Sequence, residues 1–150
     1  MTLKEFMSRK LESIDITATL QQAAKRMTNK DISSLIIVDK SDAPVGILSE
    51  RDIVRKCCSR EDVDIKLATV SEIMSSPVIT INHKSSPREA AEFLVKNKIR
   101  HLLVVDDSGR RMGIITPMDF TRYKQLNNNT SYGDKAEEDA VTKMLEFYED

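Results

Sequence analysis

Two stretches of the chain place a hydroxyl and a carboxylate three residues apart at the end of a short apolar run. VGILSERD (45–52) holds Ser49 and Asp52, and MGIITPMD (112–119) holds Thr116 and Asp119. At the junction of a strand and a helix this spacing supports two kinds of chemistry. One is capping, in which the hydroxyl accepts from the first free helix amides and the early acid complements the helix dipole. The other is ligand binding. Free amides at a helix start attract phosphate, a hydroxyl adds a donor, and a carboxylate takes two hydrogen bonds from a ribose diol. Apolar strand residues beside the motif would then hold a base. A single copy reads well as a cap; the second copy adds weight to paired clefts.

Catalytic chemistry finds little support. His83 and His101 lie in different contexts, without the Cys or carboxylate spacing of a zinc site. No Gly-rich phosphate loop is present, and no nucleophile stands beside either Asp. The expectation is therefore no enzyme, no catalytic residue and no metal. Cys57 and Cys58 are adjacent, a poor start for a structural disulfide or a metal site, and read as reduced bystanders in a helix.

The elements that would position the two motifs come from a duplication. Shifted by 67 residues, the chain aligns with itself without a gap from Thr2 to about Arg55. Identical pairs include Met7/Met74, Ser8/Ser75, Ala23/Ala90, Leu35/Leu102, Asp39/Asp106, Gly46/Gly113 and Asp52/Asp119. Two units are too few for a solenoid, so a pseudo-twofold pair burying one apolar side against the other is expected. TLQQAAKRM and SPREAAEFL each put alanines on one helical face, with Thr19 and Ser86 as caps and Pro87 in the first turn. ISSLIIVD and IRHLLVVD read as buried strands, followed by turns KSDAP and DSGRR and a second strand. Each half thus reads strand, helix, strand, strand, helix, an α/β module. The expected division is 1–66, 67–126, and a tail at 127–150 made of the polar linker NNNTSYGD and a helix with Val141, Met144, Leu145 and Tyr148 at helical spacing. That helix could dock on the body or on another subunit.

The 150 residues suit one domain or two small modules sharing a core, and 40% hydrophobic residues are adequate for a soluble fold. A formal charge of −1 makes general nucleic-acid binding unlikely as a default. No segment approaches the ~20 apolar residues of a membrane span, and MTLKEFMSRK lacks a signal-peptide core. A cytoplasmic location is expected, which leaves the sequons at Asn128 and Asn129 without meaning.

GILSERD and GIITPMD, each preceded by a helix and an apolar strand ending in Val-Asp, resemble the Gly-x-x-Ser/Thr-x-x-Asp signature of cystathionine-β-synthase (CBS) domains. EIMSSPVITI and KIRHLLVVD are similar to that family too, and the resemblance runs from residue 2 to about 126. It implies a tandem pair, a Bateman module of the stand-alone prokaryotic type, with two β-α-β-β-α motifs packed through their sheets. It further implies a regulatory ligand rather than a cofactor: an adenosine compound such as AMP, ADP, ATP or S-adenosylmethionine in clefts between the motifs. On that resemblance Asp52 and Asp119 hold ribose hydroxyls, and Ser49 and Thr116 bond to ribose or phosphate. Val78, Ile79, Ile99 and Ile115 contact the base, and Lys98, Arg100 and His101 reach phosphates. Shifted by 67, those three cations fall on Asp31, Ser33 and Ser34, so the two sites should be unequal.

Two functions follow. In one, the chain is a nucleotide sensor whose conformational change is read by an effector protein of unknown identity, since no effector domain lies on this chain. In the other it is a dimerisation or scaffold module that needs no ligand. Family pairs commonly form disk-like dimers, so a homodimer is expected, with Ile53, Val54, Phe120 and Thr121 either at its interface or in the core.

Overall fold

A computed structural model describes residues 1–128 and 134–149. The interior of the expected linker, with the sequon at Asn129, lies outside the described residues. The first half runs β1 (Ser13–Asp15), α1 (Leu20–Lys30), β2 (Ser34–Val38), β3 (Pro44–Ser49) and α2 (Glu50–Asp52). A π-helical stretch, Ile53–Cys58, continues α2. The second half repeats the order with β4 (Thr80–Asn82), α3 (Pro87–Asn97), β5 (Leu102–Val105), β6 (Arg111–Ile115) and α4 (Asp119–Asn127), followed by α5 (Lys135–Phe147).

Each half forms a three-stranded sheet in which the first strand lies parallel to the second and the second antiparallel to the third. The helix between the first two strands makes the crossover that parallel pairing requires. Both crossover helices start as the sequence predicts. The Thr19 hydroxyl accepts from the Gln22 N–H at 3.2 Å while the Gln22 side chain accepts from the Thr19 N–H; Ser86 and Glu89 do the same on α3. The repeated Val-Asp is explained by the hairpins. Asp39 Oδ1 accepts from the Ser41 and Ala43 amides, and Asp106 Oδ1 from those of Ser108 and Arg110. These two acids shape turns. Each turn also needs one left-handed residue, Gly109 at φ 81° and Asp42 at φ 60°.

The chain divides into two compact units, and they are offset from the sequence repeats. One is Lys10–Val78; the other combines Met1–Arg9 with Ile79–Asp150. The cut at 66/67 differs from this because each repeat begins with a segment that belongs to the other unit's sheet edge. Ser8 exchanges two backbone hydrogen bonds with Ile114, its N–H to the Ile114 carbonyl and its carbonyl from the Ile114 N–H. Ser75 does the same with Ile47. Gly113 and Gly46 permit these approaches: a Cβ at Gly113 would stand 2.7 Å from the Ser8 carbonyl oxygen, and one at Gly46 2.4 Å from Met74 Sδ.

The Lys10–Val78 unit buries Leu20, Ala23, Met27, Leu35, Ile37 and Leu48. The other buries Leu3, Phe6, Leu94, Leu102, Phe120 and Tyr123, with the Phe6 and Phe120 rings edge to face at 5.1 Å. Helix α5 packs on α3 and sinks Val141 and Met144 into this second core, so the tail docks on the body of its own chain. Its cover explains why Ala91 is fully buried while its counterpart Ala24 is only half-buried. Phe120 is core, whereas Val54 is 61% exposed. Cys57 is buried, and burial pushes its thiol pKa up; Cys58 is exposed. Among the described residues no helix is long and apolar enough to cross a membrane.

Candidate functional site

Within the unit built on β4–β6, the strand ladder gathers most of the predicted residues at one end of the sheet. Leu102 pairs with Ile115, so His101 and Thr116, one residue beyond, lie at the same edge. The Leu103 N–H donates to the Ile79 carbonyl at 3.0 Å, which brings the residue before β4 to that end as well. Lys98, Ile99 and Arg100 lead into β5 from the end of α3. Lys98 caps α3 in the left-handed region (φ 52°) with its side chain exposed. Ile79, Ile99, Arg100, His101 and Thr116 are half-buried.

Ile115 departs from the expectation. It is fully buried in the core with Leu102 and Phe120, so its side chain serves packing and is withdrawn from a base-contacting surface. Val78 is half-buried and ends the other unit.

Thr116 and Asp119 form a tight turn ahead of α4. Asp119 Oδ2 accepts from the Thr116 N–H at 2.8 Å and from its hydroxyl at 3.1 Å, and the Asp119 N–H donates to the Thr116 carbonyl. Helix α4 begins at Asp119, and Thr116 lies outside it and does not cap it. Burial pushes the Asp119 carboxyl above the ordinary carboxylate range, outweighing the downward pull of the Thr116 bonds and of Arg122. A partly desolvated carboxylate held through one oxygen by Thr116 is a strong acceptor for a neutral hydroxyl pair.

The equivalent edge of the Lys10–Val78 unit has the same backbone and different chemistry. Ser34 pairs with Ser49, the Glu50 N–H donates to the Ser33 carbonyl, and the Ile36 N–H donates to the Glu12 carbonyl. Ser49, 7% exposed, is a helix cap: its hydroxyl accepts from the Asp52 N–H at 3.1 Å, while Asp52 Oδ2 accepts from the Ser49 N–H at 3.0 Å. The other carboxylate oxygen, Oδ1, lies 3.0 Å from Lys56 Nζ. Both Asp52 oxygens are therefore engaged.

Three contributors were not singled out from sequence. Lys56 stands where the other half has Tyr123, and Glu12 where it has Ile79; each exchange was readable by comparing the repeats position by position. Glu12 lies within 3.9 Å of Arg26 and 3.8 Å of Lys30. The third, Tyr148, has no counterpart in the duplication. Its ring centroid lies 5.1 Å from the Arg100 guanidinium carbon.

Comparison with known proteins bears on the site at this point. The CBS domain matches residues 3–58 and 70–125. The chain belongs to the CBS domain family. The CBS pair is 39% identical over 104 residues to an uncharacterized protein of Methanopyrus kandleri, covering 69% of this chain and 52% of that one, so it spans about half of that relative's length. Among solved structures, a CBS domain protein of Thermoplasma acidophilum superposes with a TM-score of 0.74 at 24% identity, covering 96% of this chain and 75% of that one. A CBS domain protein of Pyrobaculum aerophilum, solved in complex with AMP, gives 0.70 at 23% identity, covering 95% and 99%. At these identities the two structures establish the fold: two three-stranded sheets with helices, as in other CBS pairs. Among the described residues no cluster of three or more His, Cys, Asp or Glu could hold a metal.

Proposed function

We propose that this CBS pair is a regulatory module, without catalytic activity, that binds an adenosine nucleotide at the strand ends carrying Asp119. The observation that carries the reading is the gathering, at one end of β4–β6, of a partly desolvated carboxylate, the basic side chains of Arg100 and His101 and two half-buried isoleucines. In this reading Asp119 accepts from the ribose diol and Thr116 bonds to ribose or phosphate. Arg100 and His101 take the phosphate, the Arg fork matching two phosphate oxygens. Lys98 adds positive charge at the rim, and Ile79 and Ile99 contact the base. AMP is the first candidate because a protein of the same fold has been solved with it; ADP, ATP and S-adenosylmethionine share its adenosine.

Ser49 and Asp52 form the weaker site. A ribose there must displace Lys56 from Asp52, and Ser33 and Ser34 offer phosphate no cation. The output is a conformational change read by a partner protein, which requires the nucleotide to favour one state over the other. The working assembly is a homodimer, supported by the exposed apolar side chains of Val54 (61%) and Met118 (74%) beside α2 and α4. The same exposure favours the second reading, a dimerisation module that needs no ligand.

Calorimetry and thermal unfolding with AMP, ADP, ATP, S-adenosylmethionine and NADH separate the two. A ligand at ~100 times its dissociation constant should stabilise the fold by about 2.7 kcal/mol. Absence of heat and of stabilisation with every adenosine ligand at millimolar concentration refutes the sensor. Light scattering at tens of micromolar tests the dimer, and a monomer there rejects it.

A further inference from the structure

We infer that Tyr148, just beyond α5, is a positioning residue for Arg100 and so ties the C-terminal helix to phosphate recognition. The inference rests on the reading of Arg100 as a phosphate ligand. Helix α5 packs on α3 with Val141 and Met144 in the core, and the Tyr123 hydroxyl, donating to Glu137 at 2.7 Å, ties it to α4. Beyond its last turn, the Tyr148 hydroxyl bonds to the Leu94 carbonyl at 2.9 Å and to the Ile99 carbonyl. The first lies in α3, and the second belongs to the segment that carries Lys98, Arg100 and His101 into β5. The same ring lies under the Arg100 guanidinium.

A guanidinium held over an aromatic ring can keep that contact and grip an anion through its N–H donors at the same time. A long side chain already packed in this way loses less rotamer freedom when a phosphate arrives. The other unit gives the contrast. Its matching segment, 31–34, has Ser33 at the Arg100 position, and no helix like α5 belongs to that unit. The clamp occurs where the cations are. By reciprocity, phosphate bound through Arg100 stabilises the seating of Tyr148, and unseating α5 weakens phosphate.

The test uses the full chain and calorimetric affinities for AMP and for adenosine, which lacks the phosphate. Tyr148→Leu should lower the preference for AMP over adenosine about fivefold, the worth of a cation–π contact of ordinary strength. Tyr148→Phe keeps the ring and should keep that preference within twofold. In an Arg100→Ala background, Tyr148→Leu should leave it unchanged. Should Tyr148→Leu fail to fold, amide exchange on the unmodified protein decides: AMP should slow exchange at residues 145–149 and adenosine should not. An unaltered preference in folded Tyr148→Leu, or equal protection by both ligands, overturns the inference and leaves nucleotide binding intact. Failure of the unmodified protein to bind either compound removes both readings together.

Discussion

Asp119 is the residue on which the nucleotide reading can be tested most sharply, because the structure separates its two oxygens. Oδ2 is committed to Thr116, at 2.8 Å from the amide and 3.1 Å from the hydroxyl, and the ribose reading gives Oδ1 to the ligand. One hydrogen bond to a charged group contributes roughly 1.5–3 kcal/mol, so Asp119→Ala should weaken AMP by about 10- to 150-fold. Asp119→Asn keeps an acceptor toward Thr116 but sets an amide NH2 in place of Oδ1, so it loses the ribose acceptor together with the charge and should weaken AMP about as much as Asp119→Ala. The matched control is Asp52→Ala. Its carboxylate is already taken by Ser49 and Lys56, so AMP affinity should move by less than about fivefold, a bound set by the ~1 kcal/mol of an ordinary ion pair. Titration calorimetry of the three variants, each first shown to melt cooperatively, gives the comparison. AMP binding by folded Asp119→Ala within twofold of the unmodified protein would refute the ribose assignment. A larger loss in Asp52→Ala than in Asp119→Ala would show that the two halves have been ranked in the wrong order.

Three further outcomes follow from the geometry. Gly113→Ala should destabilise by about 1–3 kcal/mol, since its Cβ meets the Ser8 backbone oxygen; Gly46→Ala should cost less, because Met74 Sδ can swing away, and chemical denaturation would rank them. Ser49→Ala should lower stability by about 0.5–2 kcal/mol through the lost cap, with AMP affinity little changed, as thermal unfolding and calorimetry would show. The raised Asp119 pKa gives a sign to the pH dependence. Its contribution to stability is present below the unfolded pKa and is lost as pH rises through the folded one, so acidification through the upper carboxylate range favours the fold while weakening AMP. Subtracting the pH profile of Asp119→Asn isolates this group; identical profiles would contradict the assignment.

The element order and the helix caps were legible in the sequence because they depend on local patterns: Thr19 and Ser86 with an acceptor three residues later, and Val-Asp before each hairpin. The unequal halves were legible as well, from Arg100 and His101 falling on Ser33 and Ser34. Other features depend on partners distant along the chain. The alternation that marks β6 as a strand does not say that Ile115 faces the core. Nothing local to Ser8 indicates that it bridges to Ile114, an approach that Gly113 permits. Tyr148 read as one more apolar position of an amphipathic helix, and its hold on Ile99 and Arg100 needed the packing of α5 to become visible.

The offset between repeats and units carries a consequence for how the chain is made. The Lys10–Val78 unit is continuous in sequence, and all its residues are synthesised before any of β4. The other unit is discontinuous. Leu3, Phe6 and Met7, which end up almost wholly buried, are made before the whole of the other unit and meet their sheet only when Ile114 has been added. Until then they are an exposed apolar segment, of the kind that recruits chaperones or a neighbouring chain's vacant edge. The discontinuous unit can therefore close only after the whole of the continuous one has been synthesised.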